Sequence, residues 1–447
     1  MSVRLREALR EAAAEVPAYP VHDRVVRTAR RTRWRAAAAV AAVLALVAAV
    51  PLTVRGDGGT APAAGGAALP DRLGLPPFGA LRATDRPALG PASVVFSGQA
   101  RRLTGLFDEN GTVGIVGADA DRYRTWTVGF EAPAGEGVLL SPDGRFLAVP
   151  NGSPTSPGVD VIDLTGGTVR RLPSPRPGSA GTTPAGWAPD GSALVVVDTT
   201  HANPEGSSYV NTLSLVRLDT GGAVRLLETT QVPGFGSPVA FAADGSRLAF
   251  QVGTKVLVSS PDGRQLSSFP LPPDTALAGK GAWLPDGSLA LVGHEVAADR
   301  WRLRRVDTDG RDLPAPPLAA VSGVTAIRLL GWLPDGTAWV VAYRPEPGAP
   351  TWYAGDGLAM DQRTAYGNVR SIRVLGLTPG AAAPVTLLTA PDQVLAVDVA
   401  DSVVHAGRVR EADPPSGPGG RVWWGAGLVA LALVGLAAYR RLRRGHR

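Results

Sequence analysis

Cysteine is absent from all 447 residues. Thiol catalysis, cysteine-based zinc or iron sites and disulfides are therefore excluded, and any exported part of the chain must hold by packing alone. Lysine is nearly absent as well. Of 45 basic residues only Lys255 and Lys280 are lysines, a bias that reads as high-GC codon usage rather than chemistry. No Gly-x-Ser-x-Gly elbow occurs, and Lys280 lacks both the earlier glycine and the following Ser or Thr of a phosphate loop. His294-Glu295 has no second histidine four residues on, so it is not half of a zinc helix. No cofactor and no metal site is expected. Long helices are excluded as the main architecture, because 55 Gly and 40 Pro punctuate the backbone too often.

Charge is unevenly placed. Residues 1–35 carry nine Arg against Glu7, Glu11, Glu15 and Asp23, and residues 440–447 carry five Arg and no acid, which leaves a net of −4 on the other 404 residues. An isoelectric point near 10.0 thus comes from two short tails and not from a basic face, so no nucleic-acid partner is expected.

Two uncharged stretches frame the chain. Ala36 to Val54 is nineteen residues long, and at ~1.5 Å rise per residue it nearly matches a ~30 Å hydrocarbon core. Val422 to Tyr439 carries Trp423 and Trp424 at one end and Tyr439 at the other, as an aromatic belt would. Both read as transmembrane helices rather than core helices, since no face carries a charge. The first could also be a cleaved signal, although its polar lead-in is long for one. Arg27, Arg30, Arg31, Arg33 and Arg35 precede the first stretch, and Arg440, Arg441, Arg443 and Arg444 follow the second. By the positive-inside rule both termini are cytoplasmic and residues between the stretches lie outside, at the plasma membrane. Val3, Leu5, Leu9, Ala12, Ala13 and Val16 fall at helical spacing before Pro17. The short helix they predict either docks a cytoplasmic partner or merely lies at the surface.

Between the stretches the sequence repeats. Asp143-Gly144, Asp190-Gly191, Asp244-Gly245, Asp286-Gly287 and Asp335-Gly336 recur at spacings of 47, 54, 42 and 49, each with a large apolar residue three positions before the Asp: Leu140, Trp187, Phe241, Trp283 and Trp332. Pro suits the second position of a turn, Asp bonds the local backbone, and Gly takes the left-handed position that closes a hairpin. A looser hairpin follows in most units, from Val161, Val216, Val256 and Arg304. Four antiparallel strands per unit at this period predict a β-propeller blade, with the large residue before the turn packed between blades.

The Pro-Asp-Gly hairpins at 141–149, 188–197, 284–292 and 333–341 resemble the repeats of TolB-type and WD-like β-propellers, and the frame of spans and propeller resembles membrane-anchored propeller proteins of high-GC Gram-positive bacteria. The resemblance implies an all-β fold and leaves the chemistry open. Counting a first unit from Leu103, five Asp-Gly units and a closing blade from residues 393–406 with Ser93 to Phe96 gives seven blades; six result if the terminal pieces belong to another blade. The expected organisation is a basic cytoplasmic segment (1–35), a span (36–54), an Ala/Gly/Pro-rich linker (55–89), a monomeric propeller (90–410), a linker (411–421), a span (422–439) and a basic tail (440–447).

Candidate binding residues follow from topology. The Asp-Gly and Thr-Gly-Gly turns share one face, and the loops between second and third strands share the other. Those loops vary in length, and 343–368 is the longest. His201, Glu205, Tyr209, His294, Glu295, Trp352, Tyr353, Asp356 and Tyr366 are the polar and aromatic residues there, of the types that anchor interfaces or else cover their own blade edge. No catalytic set emerges. Asp307, Asp309 and Asp312 have a calcium-loop look but sit where a hairpin turn belongs. The expectation is a sensing or interaction module for a protein or envelope component; the alternative is a metal-dependent propeller enzyme of lactonase, lyase or sugar dehydrogenase type.

Overall fold

The computed structural model describes residues 66–77, 79–98, 111–129, 132–153, 155–203, 208–230, 239–349, 368–392 and 394–415, and in a second unit 427–428, 430–437 and 440. Each of the five repeated Asp-Gly turns forms for the reasons its residue types supply. Gly144, Gly191, Gly245, Gly287 and Gly336 all adopt φ between +69° and +82°, where a Cβ would be strained. Each Asp carboxylate accepts the backbone N–H two residues on, as Asp143 does from Arg145 at 3.0 Å, Asp190 from Ser192 at 2.9 Å and Asp335 from Thr337 at 2.8 Å. Asp244 and Asp286 do the same to Ser246 and Ser288. The glycine N–H closes the turn, for example Gly191 onto the Ala188 carbonyl at 2.9 Å.

These hairpins build six antiparallel sheets among the described residues. Blade 2 runs Leu139–Leu140, Phe146–Pro150, Gly158–Asp163, Thr168–Pro173. Blade 3 is Gly181–Trp187, Ala193–His201, Tyr209–Arg217, Ala223–Thr229, and blade 4 is Val239–Phe241, Leu248–Val252, Lys255–Ser259, Gln265–Pro270. Blade 5 is Thr275–Leu277, Leu289–Glu295, Arg300–Val306 with an outer edge split between Asp312–Leu313 and Val321–Ser322. Blade 6 is Ala326–Trp332, Ala338–Pro345, Val369–Leu377, Val385–Thr389. Second strands are buried on both faces because each blade lies between two neighbours, which is why Leu194 to Val196 and Trp339 to Ala342 read as unbroken apolar runs. Outer strands such as Thr168–Pro173 are mostly exposed.

The first blade corrects the expected count of seven. Ala92–Gly98, Thr112–Gly117 and Tyr123–Thr127 supply three strands, and the fourth, innermost strand is Val394–Val399 from the other end of the chain, paired antiparallel with Ala92–Gly98. The unit placed at Leu103 and the closing blade are therefore one sheet, and the propeller has six blades. Of the stretch 393–406 expected to join Ser93 to Phe96, Val394–Val399 does so, with Val95 opposite Asp398, whereas Asp401–Ala406 is a helix.

The aromatic column packs between blades. Trp187 donates from Nε1 to the Leu139 carbonyl of blade 2 at 3.4 Å, Trp283 to Ala240 of blade 4 at 3.0 Å, and Trp332 to Gly281 of blade 5 at 2.9 Å. Each indole thus ties its blade to the preceding one. Phe241 is half-buried and Leu140 is fully enclosed.

Residues 66–77 and 79–89, read from composition as linker, pack on this body. Leu69, Leu73, Ala83 and Leu89 are buried, Leu69–Pro70 pairs in parallel with Val409–Arg410, and Arg72 donates to the Ala412 carbonyl at 2.7 Å. Both approaches to the ring, residues 66–74 and 408–414, therefore run side by side.

The second unit comprises residues 1–61 and 422–447. Its described residues are helical, and Leu428, Leu433, Val434 and Leu436 are exposed. Among the described residues no helix is long and apolar enough to cross a membrane. The stretch 36–54 lies outside the described residues, as does part of 422–439.

Candidate functional site

The sequence-derived candidates fall into separate places. His201 ends the second strand of blade 3 and faces Tyr209 across the sheet, both exposed, with ring centroids 5.0 Å apart. His294 is the penultimate residue of the second strand of blade 5 and is buried, its ring 4.7 Å from that of Trp301 and its Nε2 3.3 Å from Asp299 Oδ1. Glu295 is bound by Arg300 and by Arg302, and the hydrogen bond from Arg300 holds its carboxyl below the usual range. Blade 4 separates the two pairs. Glu205, Trp352, Tyr353, Asp356 and Tyr366 lie outside the described residues. The Asp307 segment is a hairpin turn, as expected: Asp307 Oδ1 accepts the N–H groups of Asp309 and Arg311 at 2.9 and 2.8 Å. Among the described residues no three His, Asp or Glu side chains are grouped to hold a metal ion.

A different site stands at the axis, where inner strands of five blades and the segment after the first strand of blade 5 converge on a cavity of about 210 Å³. Pro189, Ala243 and Pro285, which occupy equivalent turn positions, stand at its edge, so it opens on the face of the Asp-Gly turns. Its walls are the repeated apolar column, Leu140, Trp187, Phe241, Trp283 and Trp332. The residues that join blades therefore also enclose the pocket.

The polar side of the pocket comes from one lysine and the closing segment. Val394–Val399 is followed by helix α1, Asp401–Ala406, which the left-handed Gly407 ends. Lys280, from the segment after the first strand of blade 5, reaches across to this segment. Its Nζ lies 2.9 Å from Asp398 Oδ1, 2.8 Å from Asp401 Oδ1 and 2.5 Å from the Val399 carbonyl. Burial pulls the ammonium down, but the carboxylates of Asp398 and Asp401 outweigh it and hold it above the usual lysine range. Asp398 is 1% exposed and also accepts the N–H of Leu140 in blade 2 at 3.0 Å. His405 lines the same pocket from α1.

A second cation, Arg328 of blade 6, reaches the same closing strand. It is buried and donates to the carbonyls of Ala134, Gly135 and Val397. Gly135 sits at φ +86°, where a side chain is strained, and a Cβ there would push the Arg328 guanidinium out of its present place. Two cations, from blades 5 and 6, therefore grip the strand that closes the ring. Sequence reasoning missed this site because Lys280 was weighed only as a phosphate-loop lysine. Its rarity in an arginine-rich chain was the available signal.

No protein-family model matches the sequence, and no curated protein matches it. Solved structures are similar at low identity. A protein assigned as TolB from Agrobacterium tumefaciens matches at 17% identity and a TM-score of 0.33, over 50% of this chain and 80% of that one. TolB from Acinetobacter baumannii matches at 14% identity and 0.35, over 66% of this chain and 65% of that one. An acylaminoacyl peptidase in complex with a chloromethyl ketone matches at 9% identity and 0.38, over 61% of this chain and 42% of that one. At such identities and scores the six-bladed fold rests on the sheet topology above.

Proposed function

We propose that the chain is a binding or protein-interaction module whose partner seats at the axial mouth, on the face of the Asp-Gly turns. One observation carries this reading: a pocket walled by the aromatic column and floored by the Lys280, Asp398 and Asp401 cluster. Aromatic anchors around a concave, mostly apolar cavity with a few convergent polar groups are the usual makings of a recognition site. The loop face, with the His201–Tyr209 pair and the 343–368 insertion, is the competing position.

The module is held at the cell envelope, with the propeller outside the cytoplasm between two spans. The uncharged stretches 36–54 and 422–439 and their arginine flanks support this. So does the exposure of Leu428, Leu433, Val434 and Leu436, which water would disfavour and lipid would accept. A metal-dependent propeller enzyme has no described ligand set to build on.

Two measurements test the proposal. A reporter fused after Arg447 should be cytoplasmic and one inserted at residue 60 exported; the opposite result rejects the topology. Binding is tested with full-length protein and envelope extract, comparing Trp332→Ala with deletion of 347–365. Capture lost in the first and kept in the second places recognition at the axis, whereas the reverse moves it to the loop face.

A further inference from the structure

The axial mouth is chemically lopsided. Besides His405, its ionisable lining groups are Lys280, Asp398 and Asp401, which sum to −1 while the ammonium stays protonated between the two carboxylates; Arg247 stands outside the lining, over Trp283. Lys280 has nothing left to offer an anion, because its three acceptors, Asp398, Asp401 and the Val399 carbonyl, match its three protons. Asp398 is likewise committed, to Lys280 and to the Leu140 and Val399 N–H groups. Asp401 has capacity to spare. Its Oδ1 is buried against the Lys280 ammonium, while the side chain as a whole is 35% exposed, so Oδ2 is the oxygen turned to the mouth.

An entering anion would meet a saturated ammonium and two carboxylates. An entering cation would meet the Asp401 carboxylate and, of the indoles lining the mouth, chiefly Trp332, because Trp187 is stacked on Phe146 and Trp283 lies under Arg247. The protein already uses one of these rings in that way, with the Arg247 guanidinium 4.7 Å from the Trp283 ring centre. Size narrows the choice further. A cavity of about 210 Å³ is smaller than the ~300–1,000 Å³ that encloses a whole small ligand, so it suits one side chain of a larger partner.

We infer that the mouth takes a positively charged side chain, the ammonium or guanidinium of a partner polypeptide, with Asp401 as its ion-pair partner and chiefly the Trp332 ring against its stem. This rests on the reading of the axis as the binding site. The cation adds its charge beside Lys280 without displacing it, and the pocket becomes neutral overall.

The test uses the full-length protein in detergent and blocked pentapeptides with Lys, Arg, norleucine or Glu flanked by glycines, followed by calorimetry and tryptophan emission. Lys and Arg peptides should bind at least about tenfold more tightly than the norleucine peptide, and the Glu peptide more weakly still. Asp401→Asn should erase the tenfold preference and leave norleucine binding unchanged, with Asp401→Glu restoring part of it. If Asp401→Asn fails to fold, the charge series on the wild-type protein decides alone. A Glu peptide that binds as well as the Lys peptide, or a preference that survives in folded Asp401→Asn, overturns the cation assignment. The axial reading itself stands in that case if Trp332→Ala abolishes whatever binding is seen. Absence of binding by every peptide, or binding indifferent to Trp332→Ala, overturns both.

Discussion

Replacing Lys280 with methionine keeps most of the side chain's length and removes its charge. Asp398, 1% exposed, then loses the counter-charge at 2.9 Å, with the Asp401 carboxylate close by. Removing one partner of a buried pair costs roughly 3–5 kcal/mol, because the other charge stays buried and uncompensated. Lys280 is 22% exposed, so water offsets part of this and about 3 kcal/mol is expected. At ~2 °C per kcal/mol for a domain of this size, the thermal midpoint should fall by about 6 °C. Adding Asp398→Asn to Lys280→Met should recover more than half of the loss, since the stranded charge is gone while an acceptor for the Leu140 N–H remains. Lys280→Arg should still cost more than about 1 kcal/mol, because a planar fork cannot aim three donors at oxygens that converge on one nitrogen. The loss should also be local. Hydrogen exchange in Val394–Val399, the strand gripped by Lys280 and Arg328, should accelerate before that in other inner strands. A Lys280→Met protein within about 0.5 kcal/mol of wild type, with unchanged exchange in this strand, would falsify the view that the cluster fastens the ring.

Trp283→Ala should cost roughly 3–5 kcal/mol in chemical denaturation through lost packing between blades 4 and 5; a change below about 1 kcal/mol would contradict its place in the core. Gly144 and Gly191 share φ +71°, but a Cβ at Gly144 meets the Ala92 carbonyl oxygen at 2.1 Å whereas at Gly191 nothing lies within 4 Å. Gly191→Ala should therefore cost about 1 kcal/mol and Gly144→Ala clearly more, and equal losses would mean that the first turn does not abut the closing blade. Burial pushes the Tyr123 phenol up to about 12 from 10.0, partly against the hydrogen bond that it accepts from the Gly74 N–H. Because the folded value is the higher one, this contribution is complete below about pH 10 and disappears as pH rises through 12. It amounts to roughly 3 kcal/mol, and Tyr123→Phe should flatten alkaline unfolding over that window.

What the sequence made legible was local. A Pro-Asp-Gly turn needs each residue type at one position, so Asp190 and Gly191 announce their hydrogen bond and their left-handed φ without tertiary context. The large apolar residue three positions before each Asp was legible as a column because it recurs at the blade period. What stayed hidden depended on partners distant in the chain. Ala92 to Thr127 holds three strands, and only Val394–Val399 makes them a blade. The borrowed strand itself was legible, since 393–406 was expected beside Ser93 to Phe96; what a count of turns cannot register is that Thr112–Gly117 and Tyr123–Thr127 complete that same sheet rather than a blade of their own. Composition likewise read 55–89 as linker, since Leu69, Leu73 and Leu89 are sparse among Ala, Gly and Pro. Their burial depends in part on residues 408–412, some 340 positions on.

The axial cluster was hidden for a further reason. Its members carry no spacing signature, because Lys280 and Asp398 lie 118 positions apart. Asp398 and Asp401 by themselves look like ordinary loop acids. The usable clue was compositional and was set aside as codon usage. In a chain with 45 basic residues and two lysines, codon bias explains why arginine is favoured, yet it does not explain the exceptions. An exception is informative where arginine would fail, and three acceptors within 2.9 Å of a single nitrogen are such a place. Lys255 is the internal contrast: it is exposed at the start of a strand, and Lys255→Arg should leave stability unchanged while Lys280→Arg does not. Equal tolerance at the two positions would return both lysines to codon chance.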